Sequence, residues 1–339
     1  MSTYKAESFE NLIEKHYLLL RKKSFEIKKK VIVIAGPTGV GKTKLSISIA
    51  QILNGEIISA DSMQVYKGMN IGTAKATIEE QKKVLHHLID LKNINESFNV
   101  SEYYTEAHRA CREILLKGHV PIVVGGSGFY LHAFLYGSPL GPSSNPELRK
   151  DLEQQLNELG TGSLFERLQI LDPDYAKTIT AKDKHKIVRA LEIISITKKK
   201  VSEIPKPDIS NIPLYNYRLW FLHYPKEILY ERVNQRCEDM IRAGFIDEVE
   251  ILKNEGIENN YSASQSIGYK QCLKFLKSNQ TDADKKIFID EFKQASRKYV
   301  KRQFTWFKKE PNFRWLNLQE IGFDKAMEFI LQDYEQSMN

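Results

Sequence analysis

Short runs of β-branched and other apolar residues alternate with helix-like stretches along the first part of the chain. These runs are Val31–Ala35, Glu56–Asp61, His87–Asp90 and Pro121–Gly126. Apolar runs of this length are typical of strands that are buried on both faces of a parallel sheet. Because helical patterns separate several of them, the sequence predicts an α/β fold built on a doubly wound parallel sheet.

A segment rich in glycine and proline interrupts this alternation after Tyr136, and a mainly helical pattern follows it. A second linker then leads back to a strand-like run at Tyr217–Leu222, after which the chain is mostly helical. The pattern therefore predicts a helical domain, residues 138–207, inserted into a core domain formed by residues 31–137 and 208–339. Residues 1–30 are predicted to form an N-terminal arm.

The composition sets limits on the class of protein. With 339 residues, 42% of them hydrophobic, the chain can bury a large core, and no apolar run is long enough to span a bilayer. The three cysteines lie far apart and form no CxxC pair, which argues against a structural zinc site or a disulfide framework. A net charge of +7 allows a polyanionic partner without requiring one. We expect a cytoplasmic monomer that does not bind membranes.

A phosphate-binding loop follows the first strand-like run. Its residues, in order, are Gly36, Pro37, Thr38, Gly39, Val40, Gly41, Lys42 and Thr43. The glycines allow backbone N–H groups to point at an anion, and the helix that follows places its positive end there. Lys42 adds a point charge, and the hydroxyl of Thr43 is a suitable oxygen ligand for Mg²⁺. The motif predicts a P-loop core domain, and it predicts that a diphosphate is bound, whichever molecule carries that diphosphate.

A carboxylate follows the second predicted strand. Asp61 comes at the end of that run, and in an open parallel sheet this end faces the ligand crevice beside the phosphate loop. An aspartate at this place can act as a general base or as a magnesium ligand. It can equally cap the helix that follows it.

Several long motifs follow one another along the chain. They are the Gly-Pro-Thr phosphate loop, Asp61-Ser62 with Tyr66–Met69 and Ile71–Lys75, His86–Asp90, Gly125–Tyr130, Gln265–Lys270, and the segment from Ala295 to Trp306. Over about Val31 to Leu316, this order resembles tRNA dimethylallyltransferases. The sequence departs from the family pattern at Ser127, where a threonine is usual, and at Lys186, where an arginine is common. It has no carboxy-terminal zinc finger, and so it is similar to the bacterial type.

The resemblance implies an activity. Such an enzyme transfers a dimethylallyl group from dimethylallyl diphosphate to N6 of the adenine 3′-adjacent to the anticodon of tRNA, releasing pyrophosphate. Carried over to matching positions, Asp61 removes the proton from N6, Thr38 to Thr43 and Mg²⁺ hold the diphosphate, and Arg236 contacts the same diphosphate. The resemblance thus implies Asp61, Thr38 and Arg236 as catalytic residues and Thr43 as the metal ligand.

The resemblance also implies an RNA-binding surface for the anticodon stem-loop, because the target base must leave its stack to reach the diphosphate. Its residues would be Asp61, Ser62, Met63, Gln64, Ser127, Arg149, His185, Lys186, Ile187, Val188, Arg189, Gln265, Ser266, Ile267, Gly268, Tyr269 and Lys270. Arg149 and Arg189 fall in the predicted insertion, which would make it contact tRNA.

Alternatives remain open at this stage. A P-loop kinase acting on a nucleotide or small molecule would share the loop and the fold, with Arg232 and Arg236 closing over ATP. A non-catalytic RNA-binding ATPase is a further alternative. The aromatic residues of a late helix, Ser296 to Lys309, can stack on bases but are more typical of core packing. Asp90 is compatible with either a water-mediated magnesium contact or a packing role, and His86-His87 lacks a third metal ligand.

Overall fold

The structure is a computed structural model that describes residues 29–139, 141–142, 144–204 and 214–336. Residues 1–28, which make up almost all of the predicted N-terminal arm, lie outside the described residues. The described residues fall into two compact units. The first contains residues up to Leu135 and those from 214 onward, and the second lies within Tyr136–Asn211. The predicted boundaries were 138 and 207.

One parallel sheet organises the first unit. Among the described residues it has six strands in the order β3-β2-β4-β1-β5-β6, and every neighbouring pair is parallel. The strands are β1 (Lys30–Ala35), β2 (Gly55–Ala60), β3 (His86–His87), β4 (Val120–Gly125), β5 (Asn216–His223) and β6 (Arg314–Asn317). The predicted α/β fold with a parallel sheet is confirmed.

Two edge strands differ from the sequence-based prediction. β3 has only two residues, because the backbone turns into the left-handed region at Leu88 and again at Asp90, where φ is 62° and 54°. β6 lies in a region that was predicted to be mostly helical. It has four residues, of which Leu316 is buried, and so it is too short for a clear period of two.

Helices cover the sheet in the first unit, and other helices make up the second unit. They are α1 (Lys42–Leu53), α2 (Ile78–Lys83), α3 (Val100–Leu116), α4 (Gly128–Tyr136), α5 (Pro146–Leu171), α6 (Pro173–Ala176), α7 (Lys184–Thr197), α8 (Lys226–Arg242), α9 (Phe245–Asn254), α10 (Tyr261–Ser264), α11 (Tyr269–Leu276), α12 (Asp282–Phe307) and α13 (Leu318–Glu335), with 3₁₀ turns at Val201–Glu203 and Ile257–Asn259. Helix α5 is kinked at Gly160, whose φ is 80°. None of the helices in the described ranges combines the length and the apolar character that crossing a bilayer requires.

Two hydrophobic clusters cover the faces of the sheet. Val31, Val33 and Val123 belong to one cluster, whereas Ile32 and Ile34 belong to the other. Successive side chains of a strand point to opposite faces, so a continuous apolar strand is buried on both sides. This explains why the apolar runs of the sequence were reliable signals of central strands.

The register of the central strands brings their carboxyl ends together. Ala35 and Ala60 both pair with Gly125, at the last positions of β1, β2 and β4. Gly125 has room for no side chain, since a Cβ there would lie 2.1 Å from the carbonyl oxygen of Ala60. The segments that follow these three strands therefore leave the sheet side by side, and they carry the candidate functional residues.

Candidate active site

Two cavities meet at the carboxyl edge of the sheet. The first, which we call the loop cavity, has a volume of about 130 Å³ and is lined by the phosphate loop, including Thr38, Lys42 and Thr43. The second, which we call the wide cavity, has a volume of about 280 Å³ and contains Met63, Gln265 and other residues of the predicted RNA-binding set. The residues that line both cavities are Thr38, Asp61, Thr73, Arg236 and Tyr299. The three side chains that the resemblance implies as catalytic therefore lie where the cavities join.

The phosphate loop has the backbone shape that its glycines permit. Gly39 and Gly41 have φ values of 78° and 103°, in the left-handed region that favours glycine. Gly41 directly precedes α1, so the N-terminal end of that helix faces the loop cavity. The ammonium group of Lys42 donates hydrogen bonds to the carbonyl oxygens of Gly36 and Pro37, at 2.8 and 2.9 Å. These bonds fold the lysine back over the loop.

Two positively charged side chains, Lys42 and Arg236, lie buried beside the phosphate loop, where burial disfavours their charged forms. Burial, and after it the charge of Arg236, lower the pKa of Lys42 to about 7 against the opposing effect of Asp61. Burial also lowers the pKa of Arg236, while Asp61 raises it. An anion in the loop cavity would relieve the repulsion between the two cations. The electrostatics of the site thus favour a ligand with more than one negative charge.

Asp61 directly follows β2. Its Oδ1 accepts hydrogen bonds from the backbone N–H groups of Met63 and Gln64, at 2.9 and 3.4 Å. These bonds cap a turn and not a helix, since the next helix begins at Ile78 and is capped by Thr77, and they use one oxygen of Asp61. Within the described residues, Oδ2 has no hydrogen-bond partner. Since Asp61 lines both cavities, this oxygen can accept a proton from a ligand group there.

Two further residues of the site come from α12, and the sequence did not assign them a role. Gln303 is buried; its Oε1 accepts from the N–H of Thr38 at 3.1 Å, and its Nε2 donates to the carbonyl oxygen of Gly126 at 3.0 Å. Tyr299 lines both cavities, and burial raises the pKa of its phenol to about 12. Both lie in the segment from Ala295 to Trp306 that resembles the family. That resemblance is the only feature of the sequence named above that points to them.

The aromatic residues of α12 have separate environments. Phe307 is buried in the core and Phe304 is half-buried, whereas Trp306 is exposed over 39% of its surface. The core-packing interpretation therefore describes Phe307 well and Trp306 poorly. Arg302 lines the wide cavity, and its guanidinium lies 5.3 Å from the ring centre of Tyr299.

Most of the predicted RNA-binding residues of the first unit lie together. Ser62, Met63, Gln265, Ser266, Ile267 and Tyr269 line the wide cavity, and Gln64 lines the loop cavity. Ser127 accepts a hydrogen bond from the N–H of Ser62, at 3.3 Å. Gly268 and Lys270 line neither cavity. Gly268 instead packs against Phe292, since a Cβ there would lie 2.8 Å from that ring.

The predicted RNA-binding residues of the helical unit have mixed environments. Arg149 pairs with Glu153 at 3.3 Å, and Lys186 lies 3.9 Å from Asp183. The side chains of Ile187 and Val188, which the resemblance placed among RNA contacts, are buried in the hydrophobic core of this unit. Their side chains therefore support the helix and are not available to a ligand. His185 is exposed, and Arg189 is about one-third exposed.

Several other polar residues have structural partners. Asp90 accepts a hydrogen bond from Lys75 at 2.6 Å, which favours the packing role over a magnesium contact. Arg232 lines neither cavity; it donates to the carbonyl oxygen of Gly39 at 3.1 Å and so braces the phosphate loop from outside. His87 bonds to Glu56 at 2.6 Å.

The residues present fit a magnesium ion that is shared with a phosphate ligand. Thr43 and Asp61 both line the loop cavity and offer the oxygen atoms that this hard cation prefers. Over the described ranges, no group of three or more His, Cys, Asp or Glu residues could hold a metal ion by itself. A magnesium ion here would therefore take most of its ligands from phosphate oxygens and water.

One family model and the two relatives described next are all named as transferases. The family model described as IPP transferase matches residues 64–310. A tRNA dimethylallyltransferase from Protochlamydia amoebophila is 58% identical over 308 residues, covering 91% of this chain and 90% of the relative. A tRNA dimethylallyltransferase from Chlamydia pneumoniae is 43% identical over 319 residues, again covering 91% and 90%.

Solved structures agree with the sequence relatives. A full-length tRNA isopentenylpyrophosphate transferase from Bacillus halodurans is 38% identical, with a TM-score of 0.65, and the match covers 91% of this chain and 97% of that chain. A eukaryotic dimethylallyltransferase, described as acting on tRNA, is 30% identical, with a TM-score of 0.69, and the match covers 85% and 74%.

Proposed function

This chain belongs to the IPP transferase family, and from that premise we propose that it transfers a dimethylallyl group from dimethylallyl diphosphate to N6 of the adenine 3′-adjacent to the anticodon of tRNA. The observation that supports this most directly is the position of Thr38, Asp61 and Arg236 where the loop cavity and the wide cavity meet. A reaction between a diphosphate and a second, larger substrate requires such a junction.

The phosphate loop binds the diphosphate in this proposal. Backbone N–H groups of the loop, the N-terminal end of α1, Lys42 and Arg236 surround the phosphate oxygens, where negative charge builds up as the bond to the allylic carbon breaks. Thr43 would hold Mg²⁺, which when bound supplies further positive charge beside these oxygens. Gln303 fixes the N–H of Thr38, so the loop is already shaped before the substrate arrives.

Asp61 accepts the proton of the reacting amino group. The N6 nitrogen forms a bond to C1 of the dimethylallyl group, the bond from C1 to the diphosphate oxygen breaks, and pyrophosphate leaves with the bonding electrons. The proton released from N6 passes to the Asp61 carboxylate. Its free Oδ2 suits this step, since Oδ1 is held by Met63 and Gln64.

The wide cavity receives the adenine. The base must leave its stack in the anticodon loop to reach C1, and the polar residues Ser62, Gln265 and Ser266 line the cavity into which it would pass. The helical unit provides additional contacts with tRNA in this proposal, through Arg149 and Arg189. We further propose that the chain acts as a monomer in the cytoplasm.

A single assay tests the function against its main alternative. The full chain is incubated with labelled dimethylallyl diphosphate, Mg²⁺ and an unmodified anticodon stem-loop, and separately with ATP. We expect labelled N6-dimethylallyladenosine and stoichiometric pyrophosphate. ATP turnover without prenylated adenosine would instead identify a P-loop kinase or ATPase.

The role of Asp61 has its own test. We expect Asp61→Ala to lower kcat by a factor of about 10² to 10⁴, the usual range for a general base, while stem-loop affinity changes little. The matched variant Asp239→Ala removes an exposed carboxylate from α8, outside both cavities, and should leave kcat unchanged. Full activity in Asp61→Ala would rule out the proposed base.

A further inference from the structure

Glu248, on α9, holds a loop that belongs to the walls of both cavities. Its Oε2 accepts hydrogen bonds from the backbone N–H groups of Asn70 and Ile71, at 3.0 and 2.6 Å, and its Oε1 accepts from the N–H of Gly72 at 3.1 Å. Three successive N–H groups thus converge on one carboxylate, in the manner of an anion-binding backbone nest. Hydrogen bonds to a charged acceptor are stronger than those between neutral groups.

The same carboxylate also binds Tyr269, a residue on another side of the wide cavity. The hydroxyl of Tyr269 donates to Oε1 of Glu248 at 2.7 Å, and Tyr269 lines the wide cavity next to Ile267. Glu248 itself lines neither cavity. Its carboxylate therefore connects two segments that are distant in sequence, the loop at Gly72 and the start of α11.

The loop has little freedom of its own at this point. A Cβ on Gly72 would lie 2.3 Å from the ring of Phe245 and 2.6 Å from the ring of Tyr269, so the glycine backbone packs directly on both rings. The next residue, Thr73, lines both cavities, and its carbonyl oxygen accepts a hydrogen bond from Gln64 at 3.3 Å. A shift of Gly72 would therefore move Thr73 at the junction where the reaction is proposed to occur.

We propose that Glu248 is a positioning residue for the acceptor substrate: it fixes the loop Asn70–Thr73 and Tyr269 against each other, so that the wide cavity has the shape that receives the adenine. This proposal rests on the proposed function. The diphosphate is held by different segments, namely the phosphate loop and Arg236, which Glu248 does not contact. Loss of Glu248 should therefore affect the nucleic-acid substrate more than dimethylallyl diphosphate.

The test compares variants of the full chain in the stem-loop prenylation assay. Glu248→Gln keeps the size of the side chain but replaces one acceptor oxygen with an NH₂ group that cannot accept a hydrogen bond from an N–H group. We expect kcat/KM for the stem-loop to fall about 30-fold, which is within the range for losing hydrogen bonds to a charged group, while KM for dimethylallyl diphosphate stays within about twofold. Glu250→Gln, an exposed carboxylate two positions further along α9, is the matched control and should leave both constants unchanged.

The variant Tyr269→Phe separately tests the hydrogen bond between Tyr269 and Glu248. It removes only the hydroxyl, and we expect kcat/KM for the stem-loop to fall about fivefold, as for one hydrogen bond. Because the hydroxyl acts through Glu248, the double variant should lose less than the product of the two single effects. This coupling would not arise if the two residues merely stabilised separate parts of the fold.

Three results would overturn the proposal. The first is a Glu248→Gln variant whose kcat/KM for the stem-loop is unchanged. The second is a Glu248→Gln variant whose KM for dimethylallyl diphosphate rises by the same factor as its kcat/KM for the stem-loop falls. The third is strictly multiplicative effects of Glu248→Gln and Tyr269→Phe. Should Glu248→Gln fail to fold, an unchanged kcat/KM in Tyr269→Phe overturns the proposal and a loss confined to the stem-loop supports it. Failure of the proposed function is distinct, since the unaltered chain itself would then make no prenylated adenosine.

Discussion

The ammonium group of Lys42 lies where its positive charge is disfavoured, by burial first and by Arg236 second, and its pKa is about 7 in the free protein. A bound diphosphate stabilises the charged form and raises this pKa. Above a pH of about 7, the free protein therefore has a largely neutral Lys42, and diphosphate binding takes up a proton. We expect the affinity for dimethylallyl diphosphate to fall as the pH rises through this value, by up to about tenfold per pH unit.

Titration calorimetry measures this proton uptake. At a pH of about 8.5, binding heats in two buffers of different ionisation enthalpy should differ by an amount that corresponds to about one proton. Lys42→Arg is the control, because a guanidinium keeps its charge over this pH range and should remove the difference. Equal heats for the unaltered chain in both buffers would contradict the assignment.

Gln303 gives a second prediction for a single residue. Its amide joins the N–H of Thr38 to the carbonyl oxygen of Gly126, in the interior of the site. Gln303→Ala leaves both groups without this partner, and we expect kcat to fall about tenfold or more, since each lost hydrogen bond costs about 0.5–1.5 kcal/mol. Single-turnover kinetics measure the effect, and Gln294→Ala, on the same helix and outside both cavities, should behave like the unaltered chain.

The difference between Asp61 and Gln303 indicates which site residues a sequence can reveal. Asp61 and the phosphate loop stand directly after predicted strands, so local pattern and parallel-sheet geometry together point to them. Gln303 lies 265 positions from Thr38 and 177 from Gly126. No local pattern contains such contacts, and the polarity of a buried glutamine acquires meaning only once the chain has folded.

At the scale of elements, the central strands were predictable because burial on both faces gives continuous apolar runs, as in β1 and β4. The edge strands were not, since β3 has two residues and β6 has four. Helix α12 was predicted to cover 296 to 309, but it begins at Asp282 with a capping box formed by Thr281 and Asp284. The spacing of Thr281 and Asp284 is a helix-start signal that the sequence itself contains, and Phe288 and Phe292 are buried four positions apart in the first half of the helix.

Gly125 gives a prediction about the contact between β4 and β2. A Cβ at this position would lie 2.1 Å from the carbonyl oxygen of Ala60, so Gly125→Ala must push apart the strands that precede Asp61 and Ser127. We expect a loss of stability of about 1–3 kcal/mol, typical of overpacking, and also a loss of kcat because Asp61 moves. Thermal unfolding and the prenylation assay measure the two effects.

The control for this prediction lies just before the start of the same strand. Gly118 has a φ of 76°, and a Cβ added there would meet no atom within 4 Å, so Gly118→Ala introduces backbone strain of about 1 kcal/mol without a collision. It should lower stability and leave kcat unchanged. If Gly125→Ala also kept full kcat, the register of β2 and β4 would not be what positions Asp61.

At the scale of the whole molecule, the sequence predicted the inserted helical region because its helical pattern and breaker-rich flanks contrast with the strand pattern around it. It did not predict how the unit is held together. Glu192 is fully buried in the unit and accepts hydrogen bonds from the hydroxyl of Ser144 and the N–H of Asn145, at 2.6 and 2.7 Å. It also pairs with Arg189 at 2.7 Å. Glu192 is 48 positions from Ser144 and 47 from Asn145, so this network, like the bonds of Gln303, joins residues that are distant in sequence.

Arg189 therefore has two roles that must be separated, one within the unit and one proposed toward tRNA. Its Nη1 pairs with Glu192, and its Nη2 donates to the carbonyl oxygen of Pro142 at 2.5 Å. A guanidinium has five N–H donors, and about one-third of this side chain is exposed. It can therefore hold these partners and still present charge to a phosphate.

The salt dependence of stem-loop binding distinguishes the two roles. If Arg189 neutralises a phosphate, Arg189→Ala should weaken binding at low salt and make the slope of log affinity against log salt shallower by about 0.7–0.9, the value for one lost contact. Arg189→Lys keeps the charge but loses the planar fork that bridges Glu192 and Pro142, so it should keep the slope while lowering the thermal stability of the unit. Arg167→Ala, an exposed arginine of the same unit outside the predicted contact set, should keep both. An unchanged slope in Arg189→Ala would assign this arginine to the interior network alone, because an intramolecular brace can alter affinity without altering how many counterions the RNA releases.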